Sequence, residues 1–230
     1  SVKGSAAALS ASSLSSEQRT QIDEVYNWGR LGLTSMESAF ENCDSLKTVP
    51  ADNSGAFENV TSFDKAFYNC KVLKEIPDGI FSKAVNAESF NMTFYSCKQL
   101  TEVPANLFYN CPKLTDATSL FMFCSSVTHI DEAFFSKNPE LELCSGTFSY
   151  MDNLGNVGKD LFAGNPKITT FNSIFQGDLK MTEIPAGIFR NQPECESFRL
   201  AFKGSGITVI PEGLFANNKK CTSFDNTFAN

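Results

Sequence analysis

The chain has 230 residues, 42% of them hydrophobic, with 20% charged residues and a formal net charge of −7. That is enough apolar side chain for a continuous core, while the acidic balance, with no Lys/Arg cluster interleaved with aromatics, argues against nucleic acid as a partner. No stretch approaches the roughly 18 apolar residues that a transmembrane helix needs.

Residues 1–13 are Ala/Ser-rich, with no continuous apolar run and no initiator Met. Residues 1–15 are therefore expected to be a flexible linker downstream of a removed leader. Ser15-Ser16-Glu17-Gln18 then fits a capping box, and Ile22, Val25, Tyr26 and Gly29 follow at helical spacing. A short helix from about Ser16 to Trp28 is expected, within a cap of residues 16–32 that covers the open apolar end of whatever follows.

From residue 33 to residue 230 the chain repeats. Phenylalanine returns at Phe40, Phe67, Phe94, Phe121, Phe148, Phe175 and Phe202, every 27 residues, and again at Phe228 after a one-residue deletion. Other columns keep the same phase. Three residues past the anchor stand Cys43, Cys70, Cys97 and Cys124; six past it Leu46, Leu73, Leu100, Val127, Leu154 and Met181; nine past it Val49, Ile76, Val103, Ile130, Val157 and Ile184. Pro50, Pro77, Pro104 and Pro185 follow directly, and Phe81, Phe108, Phe135, Phe162 and Phe189 close a second apolar column. A fixed period of this size marks a solenoid, in which one coil cannot bury its apolar face without its neighbours. About eight coils are expected, the last ending in mid-coil at Asn230. Such an open end is expected either to continue into more repeats or to pack end to end.

Each coil has two similar halves. The half with Pro (Pro77-Asp78-Gly79-Ile80-Phe81) reads as a turn or short 3₁₀/helical stretch on the outer side. The other half, as in Thr61 to Phe67, is extended in character and is the candidate for a stacked parallel strand, with neighbouring coils roughly 4.8 Å apart.

These columns carry a resemblance. Leu100-Thr-Glu-Val-Pro-Ala-Asn-Leu-Phe108 resembles the L-x-x-I-P-x-x-x-F stretch of extracellular leucine-rich repeats, and Ala66-Phe67-Tyr68-Asn69-Cys70 with Leu73 and Ile76 resembles the A-F-x-x-C-x-x-L-x-x-I signature of BspA-like leucine-rich-repeat surface proteins. The likeness covers residues 33–230. The repeat is longer than is usual for that family, and the Asn ladder of ordinary leucine-rich repeats is missing, with the Cys column in its place. The resemblance implies a right-handed leucine-rich-repeat solenoid with parallel stacked strands. It also implies an extracellular or bacterial cell-surface protein that binds other proteins, such as host extracellular-matrix or plasma proteins, or other cells; a glycan is a further partner to be tested.

Eight cysteines could suggest a disulfide framework. Here they replace Leu or Phe in phased columns and are read as buried, reduced thiols. Their linear array gives no tetrahedron for zinc. The single His, His129, falls in an exposed column and reads as a solvated variant; no phosphate loop, nucleophile elbow or distinct carboxylate pair is present. No catalytic residue, metal or cofactor is expected.

Two sets of positions are candidates for partner binding. Three residues before the anchor lies a polar ladder that includes Asp64, Asn91, Thr118 and Ser145, which any exposed sheet face would also show. One or two residues after the anchor lie Tyr68, Tyr95, Met122, Phe123 and Tyr150. These form one stripe if they face solvent, or seal the core if they turn inward. The function expected is a noncatalytic adhesion or recognition module, with a structural spacer or stalk as the alternative.

Overall fold

The computed structural model describes residues 8–230. The 27-residue period closes one coil of a solenoid, and we number the coils 1 to 8 by their anchors, Phe40 to Phe228. The anchors form one column of parallel rings: successive centroids lie 5.4–6.5 Å apart, with planes within 21° of each other. A second column runs through Phe81, Phe108, Phe135, Phe162, Phe189 and Phe215. Tilted contacts join the two, as between Phe81 and Phe94 or Phe189 and Phe202. Nearly all of these rings are inaccessible to solvent, so the repeat builds a continuous aromatic core.

The backbone between anchors is not the expected parallel strand. Neighbouring coils meet through isolated parallel bridges, Ser35 to Ser62 to Ser89 to Asp116 and onward to Ser223, and the segment after each bridge is a run of turns. Among the described residues all twelve non-glycine residues with positive φ fall in two columns, two residues before and two after the anchor: Lys65 (54°) and Asn69 (58°) in coil 2, Ser119 (53°) and Phe123 (66°) in coil 4. A left-handed residue at each of these points turns every second amide the same way. Phe63, Lys65, Phe67 and Asn69 donate to the carbonyls of Ser89, Asn91, Thr93 and Tyr95 in the next coil, and Phe90, Met92, Phe94 and Ser96 repeat the pattern. The amides in between close within their own coil, as Ala66 to Phe63 and Tyr68 to Lys65. Left-handed geometry costs about 1 kcal/mol or more for a residue with a side chain, a cost offset here by amide pairing in a buried layer, where an unpaired amide would be worse.

The Pro-containing half is made of turns. Ile80, Ile188 and Leu214 donate to Pro77, Pro185 and Pro211 at 3.1–3.3 Å, with Gly79, Gly187 and Gly213 at φ 68–77°. That is the type II turn, whose third residue must be left-handed. No 3₁₀ helix occurs among the described residues.

Three side-chain ladders tie coil to coil through the interior. The thiols of Cys70, Cys97 and Cys124 donate to the carbonyls of Phe40, Phe67 and Phe94 at 3.0–3.2 Å. Thr93, Thr147 and Thr227 donate to Phe63, Ala117 and Phe198. Contrary to the expectation from sequence, an Asn ladder is also present, in a column other than that of the Cys residues. Asn138, Asn165 and Asn218 are buried, and each donates its amide to two carbonyls of the preceding coil, with Gln192 between them donating to Phe162. All eight cysteines are free, and only Cys221 is not fully buried.

The one-residue deletion is absorbed in coil 7. Thr208 donates to Thr182 and Val209 bridges Glu183, a separation of 26 residues. Gly206 comes so close to Leu179 that a Cβ would sit 2.3 Å from its carbonyl oxygen. Phe228 thereby regains its place on Phe202, 5.5 Å away.

At the N-terminal side the capping box forms as expected, but the helix it starts, α1, is only Ser16–Thr20. The apolar residues beyond it are used otherwise. Lys47 donates to Asp23, Val25 donates to Thr48, and Glu24 bridges Thr48, so the segment pairs with coil 1. β-branched Ile22 and Val25 suit that extended pairing better than a helix. Trp28 covers the end of the core, its ring 4.9 Å from Phe57 and 6.0 Å from Phe40, with its indole N–H on Pro50 at 2.8 Å. Of the residues expected to form a linker, 1–7 lie outside the described residues. Ala8 bridges Ser35, and Ala11 is buried with its amide on Ser38.

Candidate functional site

The left-handed columns decide what the outer face of this layer presents. The positions three and two residues before the anchor, and one and two after it, are mostly half-buried at the outer face, with Ser96, Ser119 and Ser149 buried among them. Those immediately beside them, such as Ala66, Leu120 and Thr147, are buried. The aromatic stripe forms on this face. Tyr68 stacks on Tyr95 (4.7 Å, 10°), Tyr95 meets Phe123 edge-on (5.3 Å, 75°), and Phe123 stacks on Tyr150 (4.9 Å, 11°). All four rings are half-buried. Their faces are taken up by one another, so they neither fold into the core nor stand free, and their edges border solvent. The Tyr150 hydroxyl accepts from the Gln176 amide at 2.7 Å. Partial burial, with Tyr68 beside it, raises the Tyr95 pKa.

The polar ladder lies on the same face and is partly committed to structure. The Asp64 carboxylate accepts from the Ser89 hydroxyl and from the Asn91 amide N–H at 3.0 Å. Thr118 donates its amide to Asp116 at 2.7 Å, and the Ser145 carbonyl receives the Ser119 amide at 2.8 Å. The Thr118 and Ser145 hydroxyls make no hydrogen bond among the described residues.

Reading the face by coil shows a feature that single columns hid. In coils 3 to 6 every outward position is uncharged: Asn91, Thr118, Ser145 and Asn172 before the anchor, with Met92, Ser119, Gly146 and Ser173 beside them. After the anchor stand Tyr95, Met122, Ser149 and Gln176, then Ser96, Phe123, Tyr150 and Gly177. Charges resume at the ends, with Asp64 and Lys65 in coil 2 and Arg199 and Lys203 in coil 7, and at the sides with Glu88, Glu142, Lys98 and Asp152. In the middle of this window is a shallow hollow whose floor is Gly146, walled by Ser119, Ser145, Asn172, Met122 and Gln176. The columns read from the sequence include Thr118, Ser145, Asn172, Met122, Phe123 and Tyr150 but not Ser119, Gly146 or Gln176. The absence of charge over four successive coils was the signal that could have found them.

Nothing comparable gathers catalytic groups. His129 is exposed, and among the described residues no group of three His, Cys, Asp or Glu is placed to hold a metal. No helix among them is long and apolar enough to cross a membrane.

A 27-residue coil with phased Leu/Ile/Phe columns and interior Asn and Cys ladders is a leucine-rich-repeat solenoid. The chain belongs to the BspA type leucine rich repeat family, whose model matches six copies over residues 34–142 and 142–228. Among solved structures it is similar to a leucine-rich repeat protein from Eubacterium ventriosum, at 21% identity over 76% of this chain and 41% of that one, with a TM-score of 0.44. It is also similar to a chain of the Drosophila Toll–Spatzle complex, at 18% identity over 80% of this chain and 30% of that one (TM-score 0.38). A third is internalin C2 of Listeria monocytogenes, at 13% identity over 91% and 84% of the two chains (TM-score 0.40). The chain spans less than half the length of the first two of these. No curated protein sequence matches it.

Proposed function

We propose that this solenoid is a noncatalytic recognition module of a secreted or bacterial cell-surface protein, and that it binds a protein partner through the outer face of coils 2 to 6. One observation carries the reading: the uncharged window of coils 3 to 6, with its methionines Met92 and Met122, enclosed by charged residues and crossed by an aromatic stripe that runs from Tyr68 at its edge through Tyr95 and Phe123 to Tyr150. Depletion of charge at the centre, enrichment in aromatics and Met, and a charged rim are the composition of an interface core. The rings are held by one another before any partner arrives, so little side-chain freedom is lost on docking. Family membership supports a surface location, and the partners it suggests are host extracellular-matrix or plasma proteins.

The test is capture of purified matrix and plasma proteins by the wild type and by a Tyr68→Ala, Tyr95→Ala double variant, with melting followed in parallel. A retained fold with capture weakened roughly tenfold or more places the partner on the stripe. Unchanged capture by a folded variant moves the site to Asp64, Asn91, Thr118 and Ser145. If no member of the panel is captured by the wild type, a spacer or stalk role takes the place of recognition.

A further inference from the structure

The hollow at the centre of the window has a construction that packing alone does not require. Its floor, Gly146, has φ +64°, but the same column holds Lys65, Met92, Ser119, Ser173 and Leu200, all left-handed. Backbone geometry therefore does not call for glycine in coil 5. What glycine does here is leave space: a Cβ on Gly146 would stand 3.3 Å from the Ser119 hydroxyl, 3.5 Å from that of Ser149 and 4.0 Å from the Met122 sulfur. Ser119 is 9% exposed, and its hydroxyl, directed at that space, has no hydrogen-bond partner among the described residues. The hydroxyl opens onto the hollow, where a ligand can reach it. Around it the hydroxyls of Ser145 and Ser173 are likewise unpaired, Asn172 uses its amide oxygen on Ser197 and keeps its NH₂ free, and Gln176 gives its NH₂ to Tyr150 and keeps its oxygen free.

We propose that this hollow is a subsite for one residue of a neutral glycan, a ligand class beyond the protein partner but resting on the same reading of this face as a binding surface. The chemistry selects the class in three steps. No lining group is charged, so a phosphate, carboxylate or ammonium would lose its hydration with no countercharge to replace it. The free groups are a mixture of hydroxyls, which both donate and accept, with one amide donor and one amide acceptor, and they match a ligand that carries several hydroxyls close together. Met122 on the wall supplies apolar contact for the C–H face of a pyranose ring, and Gln176, also on the wall, is held by the Tyr150 hydroxyl.

The experiment uses an immobilised panel of neutral oligosaccharides built from hexose, N-acetylhexosamine and deoxyhexose units, with sialylated and sulfated counterparts. It is read at about 50 mM and about 500 mM salt, a range over which screening would weaken ionic binding but not neutral contacts. The wild type should retain at least one neutral structure with little salt dependence. Gly146→Met should lower that binding tenfold or more in a protein that still folds cooperatively, its melting temperature reduced only by the left-handed strain of one side chain, which Met92 already bears at the equivalent position in coil 3. Ser119→Ala, a smaller change, should weaken it severalfold. The Tyr68→Ala, Tyr95→Ala variant should keep glycan binding even where it loses protein capture, which separates failure of this subsite from failure of the proposed function. The proposal is overturned if no neutral glycan is retained, if only acidic ones bind in a salt-sensitive way, or if Gly146→Met and Ser119→Ala leave binding unchanged. It also fails if Gly146→Met abolishes protein capture while no sugar binds, since the hollow would then seat a side chain of the protein partner.

Discussion

The ring of Tyr150 lies directly on the bare backbone of Gly177 in the next coil, where a Cβ would come within 2.4 Å of the ring. Gly177 also has φ +76°, and its amide donates to Lys203 at 2.8 Å. Tyr150 is thus held between Phe123 on one side and a glycine on the other, with its hydroxyl on Gln176. Gly177→Ala should push the ring outward and add left-handed strain, with a loss of about 1–3 kcal/mol. The measurement is a denaturant melt together with tyrosine fluorescence. An unchanged midpoint would mean that the ring yields freely and that the stripe is not a rigid surface.

Phe94 is enclosed by Phe67 and Phe121 at 5.4 and 5.5 Å and has no exposed surface. Phe94→Ala should destabilise by about 3–5 kcal/mol, through lost burial and the cavity left behind. Asn91→Ser, three residues away on the outer face, should fall within about 0.5 kcal/mol of wild type, as surface changes usually do. Equal denaturation midpoints for the two variants would contradict the column assignment.

Asp178 occupies the column of Cys43, Cys70, Cys97 and Cys124 but is a fully buried carboxyl. One oxygen accepts the Met151 amide at 2.9 Å, and the other has no partner among the described residues. Burial pushes its pKa well above the usual carboxylate range, with the Met151 hydrogen bond opposing and the Asp152 charge adding. The folded state therefore holds a proton that the unfolded chain releases near pH 3.9. The contribution is fully present below that value and is lost as pH rises through the folded pKa. Asp178→Asn should flatten this fall and be the more stable protein at neutral pH, as urea midpoints at about pH 4, 5.5 and 7 would reveal. Parallel curves for the two proteins would contradict the buried acid.

The thiols should be silent until the chain unfolds. Burial raises Cys97, Cys111 and Cys195 to about 12 and Cys43 to about 11, and a thiol that stays protonated is a poor nucleophile. Unreduced protein titrated with a thiol reagent should show at most Cys221 reacting slowly in buffer, and close to eight groups in denaturant. A total near zero in denaturant would indicate disulfides instead.

The aromatic stripe was legible because Tyr68, Tyr95, Phe123 and Tyr150 are spaced by one period, give or take a residue. In a solenoid that spacing becomes adjacency whatever the backbone does between anchors. The same logic made the Phe, Leu and Cys columns readable as core. Local backbone shape was less legible. Lys65, Met92 and Leu200 carry no mark of a left-handed residue, and the segment around them looks extended by composition. The geometry is imposed by the neighbouring coil, whose carbonyls accept every second amide.

The helix expected to run to Trp28 shows the limit from the other side. Its capping box is a contact within four residues and forms as written, but beyond Thr20 the open edge of coil 1 offers Asp23 and Val25 hydrogen bonds, with Glu24 bridging Thr48, that compete with helix. By itself the sequence determined the period, the composition of the core and the order of the coils, because repetition converts separation along the chain into contact. Only the tertiary structure decided which way side chains point, that an Asn ladder runs beside the Cys ladder, and that Gly146 leaves a hollow under an unpaired hydroxyl. Each of these depends on which amide of one coil meets which carbonyl of the next, and that registry is set by packing between coils.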